Sequence, residues 1–347
     1  STPTTGFGAY RLRELPKVLL HDHLDGGLRP ETIIEIADEI GYQGLPTKSV
    51  SELAEWFKNA CDSGSLERYL ETFEHTIAVM QREQDIVRVA KEAVIDLAND
   101  GVIYAEIRVA PEHFTKRGLS MQQVTEAMLE GYRLGESETG LKVNTILCGM
   151  RQLNKSQEVA ELVVKYQDRG VVSFDIAGPE KGFAPTLQKD TFDYLKRNDI
   201  PFTIHAGEAD GPESINQAIN NCGATRIGHG VRIVEDLPDG KIAKQVLDQQ
   251  IHLEVCPSSN LQTGIADTYT THPIAYLYEL GFNVGINTDN RLMSHTSMSH
   301  EFKEMESAFG WGINEFKELT LCAMNAAFTS DKNEYLKRIG AAYDQLQ

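Results

Sequence analysis

Short apolar runs recur along the chain, and segments with helical periodicity lie between them. Eight of these runs are rich in β-branched residues and short enough to be buried strands. They cover residues 17–23, 102–110, 142–149, 171–178, 201–208, 225–230, 251–257 and 282–289. From the second run onward they begin at intervals of roughly 24 to 40 residues, about the length of one β/α unit. Eight such units predict an α/β fold in which parallel strands close into a (β/α)8 TIM barrel.

The segments between the runs favour helices. Residues 157–167 place Val159, Leu162 and Val163 at helical spacing, and residues 186–197 repeat the pattern in a polar background. An open, doubly wound sheet is the structural alternative. It would favour a glycine-rich phosphate turn after an early strand, and the sequence contains no G-x-G-x-x-G.

The interval between the first two runs is irregular, because about 80 residues separate them. We expect residues 30–100 to form a helical insert that ends at Gly101. Such an insert lies at the C-terminal mouth of a barrel, so the segment around Leu53, Trp56 and Phe57 is a lid candidate, with plain packing as the alternative. Residues 299–347 are predicted to add helices, and residues 1–347 are interpreted as one catalytic domain.

The charge of the chain narrows its partners. The formal net charge is −18, which would repel the phosphate backbone of nucleic acids and anionic membrane surfaces. We therefore expect a small-molecule substrate that is neutral or cationic. The composition predicts no nucleic acid, no membrane and no obligatory protein partner.

Cysteine usage and the N-terminal residues bear on the compartment. The five cysteines are scattered without a C-x-x-C pair, so they predict neither a disulfide framework nor a thiolate zinc site. The first residues, STPTTGFGAYRLREL, lack the basic and then apolar pattern of a signal peptide. No apolar run approaches about 18 residues, the length that a membrane span needs. We expect a cytoplasmic protein.

Side chains that can bind a metal fall at the C-terminal ends of the predicted strands. His21 and His23 end the first strand and share one of its faces. His205, His229 and Asp289 end the fifth, sixth and eighth strands, and in a barrel these ends converge on one rim. Three histidines and an aspartate, with water completing the shell, suit one catalytic zinc ion, which lowers the pKa of its bound water toward about 7. The pattern therefore indicates hydrolysis.

Two short motifs add catalytic candidates. In the motif HAGE, residues 205–208, the glycine allows a turn that returns Glu208 toward the centre, where a carboxyl group can act as a general acid or base. The alternative is a charge at the N-terminus of a helix. In the motif GHG, residues 228–230, two residues without side chains flank His229 and permit close approach of a ligand.

Taken in order, the motifs resemble the adenosine deaminase family. The resemblance rests on H-x-H-L-D-G at 21–26, AEIRVAP at 105–111, DIAG at 175–178, TIHAGE at 203–208, GHG at 228–230, CPSSN at 256–260 and NTDN at 287–290. It runs from about Leu15 to Phe302, and the set of motifs is specific among metal-dependent hydrolase barrels.

The resemblance implies a metal centre with its catalytic groups. Glu208 would protonate purine N1 while hydroxide attacks C6, and His229 would orient that hydroxide. Asp289 would also accept the hydrogen bond of the attacking water. Relatives with two metal ions usually bridge them with a modified lysine at the end of a middle strand. The DIAG strand has no lysine at its end, which argues against a second metal ion. The implied ligands of the single Zn²⁺ are His21, His23, His205 and Asp289.

The resemblance also implies a substrate site, lined by His23, Asp25, Gly178 and Asn290. Gly178 would donate its backbone N–H to purine N3, and Asp25 would bind the ribose. Many relatives carry a second aspartate where this chain has Asn290, at the position that meets purine N7. N7 is an acceptor, so an aspartate must stay protonated to donate there, whereas an amide donates at any pH.

The implied activity is hydrolytic deamination of adenosine and 2'-deoxyadenosine, a purine nucleoside reaction of purine salvage that yields inosine or 2'-deoxyinosine and ammonia. A deaminase of another 6-aminopurine, such as adenine, is the first alternative, because the chemistry at C6 would be unchanged. An inactive barrel that serves as a binding protein is the second. Such barrels usually lose a ligand or the general acid, and here the whole implied set is present.

Overall fold

Eight parallel strands form the centre of the computed structural model, which describes residues 9–347. Each strand coincides with one of the predicted runs and differs from it only at the ends. Residues 1–8, which carry part of the stretch without a signal-peptide pattern, lie outside the described range. The strands are β1 (Lys17–His23), β2 (Val102–Val109), β3 (Lys142–Met150), β4 (Val171–Ala177), β5 (Thr203–Ala206), β6 (Arg226–His229), β7 (His252–Val255) and β8 (Val284–Ile286).

The strands close into a barrel in sequence order. Two four-stranded parallel sheets, β1 to β4 and β5 to β8, are joined by a bridge between Phe174 and Phe202 on one side and between Asp22 and Asp289 on the other. At the second junction His23 N donates to Asp289 O over 2.8 Å, and Asp289 N donates to His21 O over 2.9 Å. This closure confirms the (β/α)8 barrel and excludes the open sheet.

Helices surround the barrel as the periodicity predicts. Leu53 and Phe57 of the insert are fully buried in the main core, so these two residues serve packing, while the role of the insert as a lid stays a prediction. No described helix has both the length and the apolar character that a membrane crossing requires. The helices are α1 (Ala9–Glu14), α2 (Pro30–Ile40), α3 (Val50–Asp62), α4 (Leu66–Ala78), α5 (Glu83–Asn99), α6 (Met121–Thr139), α7 (Ser156–Lys165), α8 (Lys189–Arg197), α9 (Pro212–Asn216), α10 (Lys241–Asp248), α11 (Pro257–Gln262), α12 (Ile274–Glu279), α13 (Met298–Phe309), α14 (Ile313–Ala326) and α15 (Lys332–Asp344).

The insert and the C-terminal region have the predicted content. Helices α2 to α5 fill residues 30–99, and Gly101, with a φ of 84°, follows the last of them as the expected stop. Helices α13 to α15 occupy the C-terminal region. Helix α14 packs against β1, β7 and β8, so this extension covers the barrel beside the junction of the first and last strands.

Candidate active site

The strand ends bring the predicted metal-binding side chains to one place. Ligand-capable atoms of His21, His205, His229 and Asp289 all lie within 4.8 Å of one another, and the four side chains are buried. They come from β1, β5, β6 and the turn after β8. Side chains that are 24 to 268 positions apart in sequence thus meet because parallel strands end at the same rim.

His23 lies at the edge of this group. Its Nε2 is 3.2 Å from Asp289 Oδ1, the same distance that separates His21 Nε2 from that oxygen. The ring of His23 has its centroid 5.4 Å from those of both His21 and His205. The cluster therefore offers four imidazoles around one carboxylate, which is one imidazole more than the predicted ligand set uses.

The backbone is unusual at two of these positions. His229 has a φ of 68° and Asp289 a φ of 59°, values that residues other than glycine seldom adopt. Backbone conformations of this kind cost of order 1–3 kcal/mol and cluster at functional sites. Gly207, with a φ of 73°, makes the turn that the HAGE motif predicts.

The Asp289 carboxylate is held by a hydrogen bond and faces two imidazoles. Ser259 Oγ donates to its Oδ2 over 2.8 Å, which leaves Oδ1 facing the imidazoles of His21 and His23. Burial would raise the pKa of Asp289, but those imidazoles outweigh it and hold the pKa well below its usual range. The carboxylate is therefore ionised, as a ligand must be.

A buried nitrogen without a hydrogen bond supports the interpretation of a metal site. His21 is fully buried, and its Nε2, although 3.2 Å from Asp289 Oδ1, makes no well-formed hydrogen bond among the described residues. Burial, followed by the charge of Arg108, lowers the pKa of His21, so its imidazole is neutral and Nε2 carries a lone pair. A neutral imidazole nitrogen aimed at a carboxylate oxygen and at other imidazoles fits a nitrogen and oxygen site for a metal ion.

A second layer of buried carboxylates orients two of the imidazoles. Glu254 Oε1 lies 2.9 Å from His21 Nδ1, and Asp175 Oδ2 lies 2.6 Å from His205 Nδ1. Arg108 joins the two carboxylates, at 2.8 Å from Asp175 and 3.1 Å from Glu254. Contacts of this kind fix which ring nitrogen faces the metal.

The charges of this layer follow from its geometry. Burial would raise the pKa of Asp175, but His205 and Arg108 hold it well below its usual range. Burial likewise opposes ionisation of Glu254, and Arg108 and Arg226 outweigh it. The pKa of His205 falls to about 3, because burial outweighs the attraction of Asp175. The layer therefore holds ionised carboxylates beside a neutral imidazole.

Sequence reasoning missed this layer, although a signal was present. Asp175 and Glu254 are the single acidic residues of the buried strands β4 and β7, and Arg108 is the single cation of β2. A charge in a strand buried on both faces requires a partner.

Glu208 lies beside His229, and its role as the acid stays a prediction. Its Oε2 lies 3.3 Å from His229 Nε2. Burial, and then the charge of Asp289, raises the pKa of Glu208, while His229 opposes the rise. Its loop is held by Glu180, another residue that the sequence did not reveal, whose carboxylate accepts the backbone N–H groups of residues 207, 208 and 209 over 2.8 to 3.1 Å.

The remaining predicted residues flank this centre. Asp25 is buried in the short 3-10 turn Leu24–Gly26 that follows β1, and Gly178, with a φ of 93°, follows β4 directly. Asn290 is buried beside Asp289, and its Oδ1 has no hydrogen-bond partner among the described residues. No contact with a ligand tests the roles of these three residues, which stay predictions.

The chain matches known proteins along most of its length. The family model for adenosine deaminase matches residues 16–340. Adenosine deaminase 1 of Streptomyces coelicolor is 53% identical over 331 residues, which are 92% of this chain and 84% of that protein. Adenosine deaminase of Mycobacterium marinum is 49% identical over 330 residues, 91% of each chain.

Comparison of structures supports the same fold. The crystal structure of adenine deaminase from Arthrobacter aurescens superimposes with a TM-score of 0.86, at 24% identity, over 94% of this chain and 98% of that one. At that level of identity the likeness establishes the barrel and leaves the choice of substrate to other observations.

Proposed function

Since the chain belongs to the adenosine deaminase family and is a hydrolase that deaminates adenosine, we propose that it does so at the cluster of imidazoles and carboxylates described above. The observation that carries the assignment to this cluster is the convergence of His21, His205 and Asp289, which lie far apart in sequence, on one buried point. The overall reaction takes up one water, releases ammonia from C6 of the purine and leaves inosine.

The metal in this proposal is one Zn²⁺ per chain. The donors are imidazoles and a carboxylate without a thiolate, a set that suits zinc. Zn²⁺ bound there would lower the pKa of a coordinated water, so that a nucleophile is available near neutral pH. The proposed ligands are His21, His23, His205 and Asp289.

Glu208 would supply the proton that the purine needs at N1. Its raised pKa favours the carboxylic acid form, which can donate a proton as electron density moves from C6 into the ring. Glu180 would keep this acid in place, because its carboxylate accepts three consecutive backbone N–H groups around Glu208. These three hydrogen bonds would hold the loop that carries the acid.

His229 and Asp289 would position the attacking water. His229 Nε2 lies 3.3 Å from Glu208 Oε2 and 3.7 Å from Asp289 Oδ2, so it stands between the proton donor and the carboxylate. A polar atom at this point can hold the attacking oxygen on the face of the purine that is to react.

Three residues would orient the substrate. Asn290 would donate its amide N–H to purine N7, Gly178 its backbone N–H to N3, and Asp25 would accept from the ribose hydroxyls. Each of these contacts recognises the nucleoside without taking part in the chemistry. 2'-Deoxyadenosine would be accepted with adenosine, and the cytoplasmic location stays a prediction.

Turnover of a substrate panel tests the proposal. Adenosine, 2'-deoxyadenosine, adenine and adenosine monophosphate would each be mixed with the purified protein, and the ultraviolet change to the 6-oxopurine followed. We expect both nucleosides to turn over, with loss of turnover on chelation and recovery on addition of Zn²⁺. Turnover of adenine in preference to adenosine would instead favour a deaminase of the free base. Stoichiometric zinc without any turnover would favour a binding protein.

A further inference from the structure

A chain of four hydrogen-bonding groups leads from a helix N-terminus to His229. The backbone N–H of Ile274 donates to His272 Nδ1 over 2.9 Å. His272 Nε2 lies 3.0 Å from Asn260 Oδ1, and Asn260 Nδ2 lies 3.2 Å from His229 Nδ1. The side chains of Asn260, His272 and His229 are each at most 3% exposed, so the chain runs entirely through the interior.

The first link fixes the direction of the second. A backbone N–H can only donate, so His272 Nδ1 must accept and carries no hydrogen. Burial, with a smaller contribution from His229, lowers the pKa of His272 to about 3, so the ring is neutral and its single hydrogen is on Nε2. His272 therefore donates to the side-chain oxygen of Asn260.

The side-chain amide of Asn260 sets the direction of the next hydrogen bond, to His229. With its oxygen committed to His272, Asn260 presents its NH₂ group to His229. An amide nitrogen donates and does not accept, so His229 Nδ1 must be the acceptor. Because Nδ1 carries no hydrogen, the ring hydrogen of His229 resides on Nε2, the nitrogen that faces Glu208 and Asp289.

We propose that Asn260 and His272 are positioning residues that fix His229 in its Nε2–H tautomer. This role rests on the proposed function, because it gives the reaction centre a hydrogen-bond donor at His229. It also explains why His229 stays outside the proposed ligand set although it lies within the same 4.8 Å group: a protonated nitrogen has no lone pair for a metal.

The local sequence supplies the start of the chain. His272 comes directly after the 3-10 turn Tyr269–Thr271. Pro273 is the next residue, and helix α12 begins at Ile274. The N–H of Ile274 is one of the N-terminal donors that no carbonyl of its own helix can satisfy. His272 could therefore serve α12 alone, as a cap. The experiment must separate that structural role from the effect on His229.

The tautomer can be read directly in the metal-loaded protein. Two-bond ¹H–¹⁵N correlation spectra of ¹⁵N-histidine-labelled protein distinguish a protonated ring nitrogen from a bare one, and the His229→Gln variant identifies the signals of that ring. We expect a protonated Nε2 and a bare Nδ1 at His229. Protonation at Nδ1 would overturn the proposal, whatever the activity of the protein.

Asn260→Asp reverses the last link with almost no change in shape. A carboxylate accepts at both oxygens, so His229 can meet it only with Nδ1–H, and Nε2 is left bare. We expect the tautomer signals to exchange and kcat to fall by about 10²-fold or more, with KM within about threefold and one zinc retained. Unchanged signals and an unchanged kcat would refute the proposed control of the His229 tautomer.

Asn283→Asp is the matched control. Asn283 Oδ1 lies 2.7 Å from Nδ1 of the buried His252, next to the start of β8 and away from the reaction centre. This variant adds the same charge beside a buried imidazole, and we expect its kcat to equal that of the wild type. A loss equal to that of Asn260→Asp would assign the effect to charge alone and contradict the proposal.

Two variants of His272 distinguish its effect on the His229 tautomer from its role as a cap of α12. Asn at this position can accept from Ile274 N–H but lacks a donor for Asn260, whereas Gln can extend an amide N–H toward Asn260 and gives up the cap. We expect His272→Asn to lose kcat and tautomer control, and His272→Gln to keep both while losing thermal stability. The opposite ranking would show that His272 acts only on α12.

Absence of adenosine turnover in the wild type would refute the proposed function but leave the tautomer measurement valid.

Discussion

Gly26 lies so close to Asn290 that a Cβ at position 26 would stand 2.1 Å from Asn290 Oδ1. The absence of a side chain on the turn after β1 therefore creates the space that the Asn290 amide occupies. The two turns are also tied by the N–H of Leu292, which donates to Gly26 O over 2.7 Å. The amide is thus held between two strand ends, in the position that the proposal gives to recognition of purine N7.

Replacement of Asn290 by aspartate should make ligand binding depend on pH. An amide donates to N7 at every pH, whereas a carboxyl group donates only while it is protonated. We expect Asn290→Asp to remain active near neutral pH but to bind inosine, the product, with an affinity that falls as the pH rises from 6 to 9. Calorimetric titration of both proteins across this range is the measurement. A flat affinity in the variant would refute the role given to Asn290.

Variants of Glu208 and Asp289 should distinguish a proton donor from a metal ligand. Glu208→Gln removes the proton donor but keeps the shape of the side chain, so kcat should fall by about 10²-fold or more while the zinc content stays at one per chain. Asp289→Ala removes an ionised oxygen that faces two imidazoles, so zinc content and activity should both fall. Metal analysis beside steady-state kinetics decides, and loss of metal in Glu208→Gln with retention in Asp289→Ala would reverse the two roles.

The carboxylate behind His205 should control metal affinity without touching the metal. Asp175→Asn weakens the contact with His205 Nδ1, and loss of such supporting contacts typically costs 10- to 100-fold in affinity. Competition with a chromogenic chelator measures this loss. Glu106→Gln is the control, because Glu106 belongs to the same buried charge network through Arg226. It should lower stability but leave metal affinity unchanged, and equal losses in both variants would show a general effect of buried charge.

The sequence predicted the strands and their ends for a physical reason. Burial on both faces makes each strand an apolar run, and the barrel places every strand end at one rim, so His21, His205 and Asp289 could be grouped before their distances were known. The supporting layer could not be grouped in this way. Arg108 and Asp175 are 67 positions apart, and a charged residue in an apolar strand shows that a partner exists without showing which one.

The chain of hydrogen bonds from Ile274 to His229 could not be predicted from the sequence, for a different reason. Asn260 lies in the CPSSN motif, which indicated the family, but the motif does not reveal that His272 stands behind the amide. Both hydrogen bonds depend on how α11, which carries Asn260, and the residues before α12, which include His272, lie relative to His229 at the end of β6. The direction of donation along the chain depends in turn on the single backbone N–H of Ile274.

A buried glutamate behind the site gives the fold a separate dependence on pH. Glu301 on α13 is fully buried and receives the backbone N–H of Ser258 over 3.0 Å, together with the hydroxyls of Ser258 and Thr296. Burial raises the pKa of Glu301 from its ordinary value of 4.5 to about 7, and these hydrogen bonds only partly oppose the rise. The folded protein therefore binds this proton more tightly than the unfolded chain does.

The contribution of Glu301 to stability is fully present below pH 4.5 and is lost as the pH rises through about 7. The shift corresponds to about 3 kcal/mol of unfolding free energy, at roughly 1.4 kcal/mol per pH unit. Glu301→Gln, which cannot ionise, should therefore gain stability relative to the wild type between pH 4.5 and 8, measured by urea unfolding at each pH. Glu279→Gln, at an exposed glutamate at the end of α12, is the matched control for the loss of one surface carboxylate. A pH-independent difference for Glu301→Gln would mean that the buried carboxyl group keeps the same charge in the folded and unfolded states over this range, which its position in the core argues against.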